Sequence, residues 1–147
     1  MEFSGQYLTY EEYRALGGTL DLTPFNLLEF ESRRLIDTAT QNRLKNVDTI
    51  PSEVKLCEFK MINSIDGYTK SVNNAVNENI KSENTDGYSV NYATITDIEE
   101  IIKSKSAELN DTISTYLLLL VVNGEHIMYA GVKWFVIVSW LFITEMD

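Results

Sequence analysis

TPFNLLEFESRRLIDTATQNRL, residues 23 to 44, reads as a helix from end to end. Thr23 supplies an N-cap side chain, and Pro24 stands at the first helical position, where its missing N–H is not needed. From Phe25, apolar residues recur at Leu28, at Leu35 or Ile36, and at Ala39, close to the helical period. Glu29 and Glu31 come early while Arg33, Arg34, Arg43 and Lys45 come late, which suits the macrodipole. Glu29 and Arg33 form an i,i+4 pair in the better orientation. The pattern predicts a helix running to about Leu44, and similar patterns on both sides of it set the fold class.

Upstream, Thr9-Tyr10-Glu11-Glu12 has the capping-box form, with Thr9 and Glu12 able to satisfy each other's backbone N–H groups. The short helix it starts should stop at Gly17-Gly18, and Tyr7, Leu8, Tyr10, Tyr13 and Leu16 give it an apolar side. Downstream, Pro51 opens a third helix whose stripe is Val54, Cys57, Met61, Ile65, Tyr68, Val72 and Val76. Gly67 predicts a break or bend in it, and Asn73, Asn74, Asn77 and Asn79 weaken its second half. SENTDGYSVNY (Ser82 to Tyr92) follows, with a turn-forming Asp86-Gly87 pair and then period-two aromatic and β-branched residues. Thr96 and Glu99 repeat the capping-box spacing. A fourth helix is marked by Ile98, Ile101, Ile102, Leu109, Ile113, Tyr116 and Leu117, with Asn110-Asp111 as a point where it could divide.

The C-terminal part has another texture. Leu118 to Val122 is continuously apolar, and Asn123-Gly124 is the strongest two-residue hairpin signal. From Lys133 the chain reads KWFVIVSWLFITEMD. Trp134, Val136, Val138, Trp140 and Phe142 fall on one alternating face; Phe135, Ile137, Leu141 and Ile143 fall on the other. A strand apolar on both faces wants cover on both sides, and left bare it is an aggregation hazard. This need is the clearest physical sign of a partner chain.

The chain has 147 residues, one domain's worth. Its 22 acidic against 12 basic residues give a formal net charge of -10, which argues against gripping phosphate backbones. One cysteine, Cys57, excludes an intrachain disulfide, and MEFSGQYLTYEE has neither the basic nor the apolar region of a secretory signal.

No stretch reads as a catalytic, cofactor or metal site. His126 after the Asn-Gly turn has only Glu125 for company and reads as a solvated turn residue. Cys57 lies on an apolar stripe and reads as a small core residue. Glu11-Glu12 and Glu99-Glu100 are explained by helix N-termini. Phosphate loops, nucleophile elbows and metalloprotease motifs are absent from the sequence. The expectation is a protein that is not an enzyme and needs no cofactor. A rival for the C-terminus is a membrane span: Ile127 to Ile143 is 17 residues, at the low end for crossing a bilayer. Lys133 sits near its middle, against a cost of about 2.5–3.5 kcal/mol.

Five pieces of the chain resemble the head–tail connector (adaptor) proteins of tailed bacteriophages. They are YLTYEEYRALGG (Tyr7 to Gly18); FNLLEFESRRLIDTATQNRL (Phe25 to Leu44), notably Arg34, Ile36, Asp37, Thr40 and Arg43; VKLCEFKMINSI (Val54 to Ile65); the Ser82 to Tyr92 stretch, followed by a helix ending in Tyr116-Leu117; and MYAGV (Met128 to Val132), similar to the family's closing motif. The resemblance covers about Tyr7 to Val132 and rests on the order and spacing of the pieces. LLLLVV after Tyr116 and the hydrophobic extension from Lys133 to Asp147 depart from the family pattern.

The resemblance implies a mainly α subunit: a small bundle of about four helices over 1–132, a short β-hairpin or loop near 82–92, and an extended β-like C-terminal tail over 133–147. It implies a ring of identical copies, usually twelve, in the neck of the virion, assembled from subunits made in the host cytoplasm. The partners implied are the portal protein above and the next neck or tail-terminator protein below, with genome DNA sliding through the channel without specific binding. Asp86, Gly87, Tyr88, Ser89, Val90, Asn91 and Tyr92 would belong to a projecting loop. Trp134, Phe135, Val136, Ile137, Val138, Trp140, Leu141 and Phe142 would form a portal-facing strand. No membrane is expected; the alternative is a small membrane-anchored protein with a helical head.

Overall fold

The computed structural model describes residues 3–81 and 95–128, with side chains over 3–74 and 99–128. The loop expected at 86–92 and the tail strand expected at 133–147 lie outside the described residues. The described chain is mainly helical, with a small antiparallel hairpin towards its C-terminal end.

The first helix, α1 (Tyr10–Ala15), starts with the expected reciprocal cap: Glu12 N–H donates to Thr9 Oγ1 and Thr9 N–H to Glu12 Oε2. It ends at Gly17, whose φ of +94° turns the chain at little cost to glycine. The second, α2 (Leu22–Ala39), departs from expectation at both ends. It begins one residue before Thr23, with Asp21 as N-cap, so Pro24 stands third in the first turn. That placement is tolerated because the first turn's N–H groups have no intrahelical partner. It stops five residues short of Leu44, because Gln41 (φ 53°) and Asn42 (φ 60°) adopt left-handed backbone and Asn42 N–H caps the Asp37 carbonyl at 2.8 Å.

The third helix, α3 (Ser52–Lys81), runs without interruption through Gly67, contrary to the expected break. Gly67 lies on an exposed face with open space around it, and a helical glycine costs only about 1 kcal/mol relative to alanine. Pro51 precedes the helix, and its carbonyl accepts the first bonds, from Val54 and Lys55. The fourth, α4 (Ile95–Leu117), is likewise unbroken at Asn110-Asp111, and Thr96 lies inside it, not at its cap. Strands β1 (Val121–Val122) and β2 (Glu125–His126) flank Asn123-Gly124, both with positive φ, as an Asn-Gly hairpin turn requires.

α2 and α4 both pack on α3, which makes α3 the centre of the domain. Pairings such as Ser64 with Glu108 run α3 and α4 antiparallel. Two apolar clusters form along the bundle. One joins Tyr7, Ile36, Leu44, Val54, Cys57, Met61, Ile113, Leu117 and Ile127. The other joins Leu8, Tyr13, Leu20, Phe25 and Ile62. On α2 the core position is Ile36, while Leu35 is exposed; on α4, Ile101 and Ile102 are exposed instead of core.

Tyr13 organises the second cluster. Its ring lies 4.8 Å from Phe25 and 5.6 Å from Phe59, centroid to centroid. Its hydroxyl donates to Asn63 Oδ1 at 3.2 Å and accepts from Leu20 N–H at 3.3 Å. The chain after α1 passes so close to this ring that a Cβ on Gly18 would sit 2.2 Å from Tyr13 Cε1. Gly18→Ala should therefore cost about 1–3 kcal/mol by overpacking. Gly17→Ala meets no atoms and should cost only about 1 kcal/mol for its left-handed backbone. Urea denaturation followed by circular dichroism measures both, and a Gly18→Ala midpoint no lower than that of Gly17→Ala would contradict this packing.

Candidate functional site

Between the two apolar clusters lies a layer of buried polar side chains. On α2, Glu29 and Ser32 fall between Phe25 and Ile36; on α3, Glu58 falls between Val54 and Ile62. Glu29 and Glu58 are each 0% exposed, and Asp37 is also buried. Arg33 Nε lies 3.2 Å from Glu29 Oε1, near enough for an ion pair although the N–H is not aimed for a hydrogen bond. Arg33 Nη1 donates to the carbonyls of Ser4 and Gly5, at 2.8 and 3.0 Å. Tyr7 N–H donates to Glu29 Oε1 at 3.2 Å, and Tyr7 Oη donates to Asp37 Oδ1 at 2.5 Å. The layer thus fastens the segment before α1 onto α2.

Burial pushes the Glu58 carboxyl well above its ordinary range, and the neighbouring Glu29 charge pushes it further. Glu29 is also raised by burial, but Arg33 and the Tyr7 N–H oppose that rise. Both carboxyls are thus raised, Glu58 the more, and a proton held on the pair spares the layer two adjacent buried charges. Burial raises the Tyr7 phenol, helped by its bond to Asp37. Burial and Glu58 together push the Cys57 thiol to about 12, as befits an inert core residue.

A raised carboxyl invites comparison with a general acid. Glu29 and Glu58 are both fully buried, however. A cavity of about 480 Å³ beside Tyr7, Arg33 and Asp37 is lined by backbone, polar and apolar side chains and charges of both signs. Among the described residues no three His, Cys, Asp or Glu side chains are grouped to hold a metal. What this layer does is hold the N-terminal segment and fix the register of α2 on α3.

A second feature lies where the described chain ends. Arg43, swung out by the left-handed pair Gln41-Asn42, donates from Nη1 to the carbonyls of His126 (2.8 Å) and Ile127 (3.5 Å). Ile127 is buried in the first cluster, and its N–H donates to the Leu120 carbonyl at 3.2 Å. The hairpin and Ile127 are thereby pinned to the helical body. His126 is exposed, as a turn residue should be.

Both stretches singled out from sequence for partner contact, Asp86 to Tyr92 and Trp134 to Phe142, lie outside the described residues, so the structure neither brings them together nor separates them. The buried layer escaped the sequence reading, which assigned Glu29 to the helix dipole and a surface pair. The signal was present in the spacing. Phe25, Glu29, Ser32 and Ile36 follow a 4–3–4 stripe, as do Val54, Glu58, Met61 and Ile65, so acids occupy core positions.

The native state holds a proton on Glu58 that the unfolded chain gives up above its ordinary value of 4.5. The stability it contributes is full below that pH and is lost as pH rises towards the raised pKa. Glu58→Gln keeps a donor for Glu29 without a titrating proton. It should match the parent near pH 4.5 and exceed it at pH 8, by about 1.4 kcal/mol for each pH unit over which the parent alone titrates. Parallel stability–pH curves for the two proteins would mean Glu58 is ionised in the fold. Arg33→Ala leaves the Glu29 charge buried without its partner and should cost about 3–5 kcal/mol, read from the urea midpoint.

No protein-family model matches this chain, and neither a curated protein nor a solved structure matches it.

Proposed function

We propose that this chain is a structural subunit of the neck of a tailed bacteriophage, a ring protein that joins the portal to the tail and completes the DNA channel. The observation that carries the reading is the arrangement of the segments that resemble connector proteins. Tyr7 of the first bonds Asp37 of the second, Tyr13 packs on Phe25 and on Phe59 of the third, and Arg43 holds Ile127 next to the closing motif. Pieces that resemble the family in order along the sequence also bond one another.

The mechanism is one of assembly. Head-to-tail contacts between identical copies, twelve in the resemblance, close a ring. The apolar extension from Lys133 leaves the body at a point fixed by Arg43 and Ile127 and adds a strand to the portal. The loop at 86–92 projects towards the channel or the next neck protein. An acidic subunit lets DNA slide past without adhering. The reading assigns no catalytic residue and no cofactor, and it places the protein in the virion.

Among the described residues no helix is long and apolar enough to cross a membrane. Ile127 to Ile143, the stretch behind the membrane-anchor alternative, falls almost wholly outside them, so that alternative is tested by fractionation.

Electron microscopy of the purified chain mixed with portal should show rings seated on the portal. Removing residues 133–147 should leave the helical circular dichroism intact and abolish attachment. A full-length protein that stays monomeric and ignores the portal would sink the reading. Carbonate-resistant membrane association, lost with residues 133–147, would establish the membrane-anchored alternative instead.

A further inference from the structure

α2 and α4 flank α3 and leave an open groove between them, a cavity of about 490 Å³. Its walls are Phe30 and Leu35 of α2 and Ile102 and Leu109 of α4, with Ile65 of α3 as the floor. Leu35 is 41% exposed and Ile102 52%, although both are large and apolar. A smaller hollow of about 180 Å³ continues past Leu35 and Leu109 to Ala39 and Ile113. There it meets the first apolar cluster, where Ile127 is buried and Met128, the last described residue, packs.

The hollow and the last described residues therefore share one apolar cluster, which holds both Ile113 and Ile127. From Ala39 to Phe30 it follows nine residues of α2, about 14 Å at 1.5 Å per residue. Trp134 is six residues beyond Met128, an extended reach of about 20 Å. The sequence of the extension is apolar on both alternating faces, and the groove exposes Leu35 and Ile102 among the described residues. Its lining carries two basic residues, Arg34 and Lys105, against one acid, Glu31, a balance that suits the acids Glu145 and Asp147.

We propose that the C-terminal extension of each free subunit seats its apolar residues, Trp134 foremost, in the α2–α4 groove of the same chain. The groove is a holding site that keeps the extension covered until a partner takes it up. The proposal stands without the neck-ring reading, since the groove and the extension need cover whatever the partner is.

The two tryptophans of the chain, Trp134 and Trp140, both lie in the extension, so intrinsic fluorescence reports on it alone. In the full-length protein, with Trp140→Phe to isolate Trp134, emission should be blue-shifted and protected from acrylamide at any protein concentration. Leu35→Glu and Ile102→Glu, each at an exposed position, should shift emission to the red and raise quenching towards that of the unfolded chain, with unchanged circular dichroism. Leu119→Glu, at a residue 79% exposed and away from the groove, should change neither. If a groove substitution unfolds the protein, Ser106→Glu, exposed and lining both hollows, replaces it. Emission that is already water-exposed in the parent, or unmoved by charges in the groove, would overturn the proposal. So would protection that fades on dilution, which would put the extension in another copy's groove. A protected Trp134 with no portal binding would refute the neck-ring reading alone.

Discussion

The rest of the structure depends on a shared proton. Two carboxyl groups, Glu29 and Glu58, are buried against each other at the interface of α2 and α3. Two buried negative charges at this distance would drive the helices apart, and the arrangement holds because one of them stays neutral. Glu58 is raised the more, while Glu29 has Arg33 and the Tyr7 amide beside it to offset a negative charge. Such a layer contributes little net stability compared with apolar residues of the same size. What it contributes is register. Sliding α2 along α3 by a turn would bury Glu29 against leucine or methionine without a partner, at a cost of several kcal/mol. The same groups hold the carbonyls of Ser4 and Gly5, so the N-terminal segment is tied to the register of the two helices.

Local chemistry decided how much of this was legible in the sequence. The Thr9–Glu12 cap and the Asn123-Gly124 turn were readable because a few adjacent residues determine them. The helices were readable from their apolar period. The misread points are those where tertiary packing overrode a local signal. Gly67 does not break α3, because the helix is held on both sides of it by α2 and α4, and Thr69 and Ser71 bond the carbonyls four residues back. The end of α2 moved because Gln41 and Asn42 accept left-handed backbone, a choice that period-counting through Arg43 and Leu44 does not register. Ile101 and Ile102 look like core in sequence and are exposed on the surface, where Ile102 lines the α2–α4 groove.

The candidate site divides in the same way. The buried acids were visible only as an anomaly of spacing, acids where a 4–3–4 stripe wants apolar residues, and each had a more ordinary explanation as a dipole or surface charge. Trp134 to Phe142 reads as partner-binding because its sequence wants cover on two faces, and Asp86 to Tyr92 because it resembles a projecting connector loop. A lack of cover names a need and not a partner, which is why the sequence could point to assembly while leaving its geometry open.

Arg43 connects these two levels. It follows the left-handed pair that ends α2, and from there its guanidinium reaches 83 residues down the chain to the carbonyl of His126. Had α2 continued to Leu44, as its period suggests, Arg43 would project from a helix surface and the hairpin would lose that clasp. The early stop in α2 therefore lets Arg43 fix His126 and Ile127 against the helical body. On the holding-site proposal, a helix end set by two residues of unusual backbone, one arginine and one apolar groove would together supply exit and cover for the extension within a single small domain.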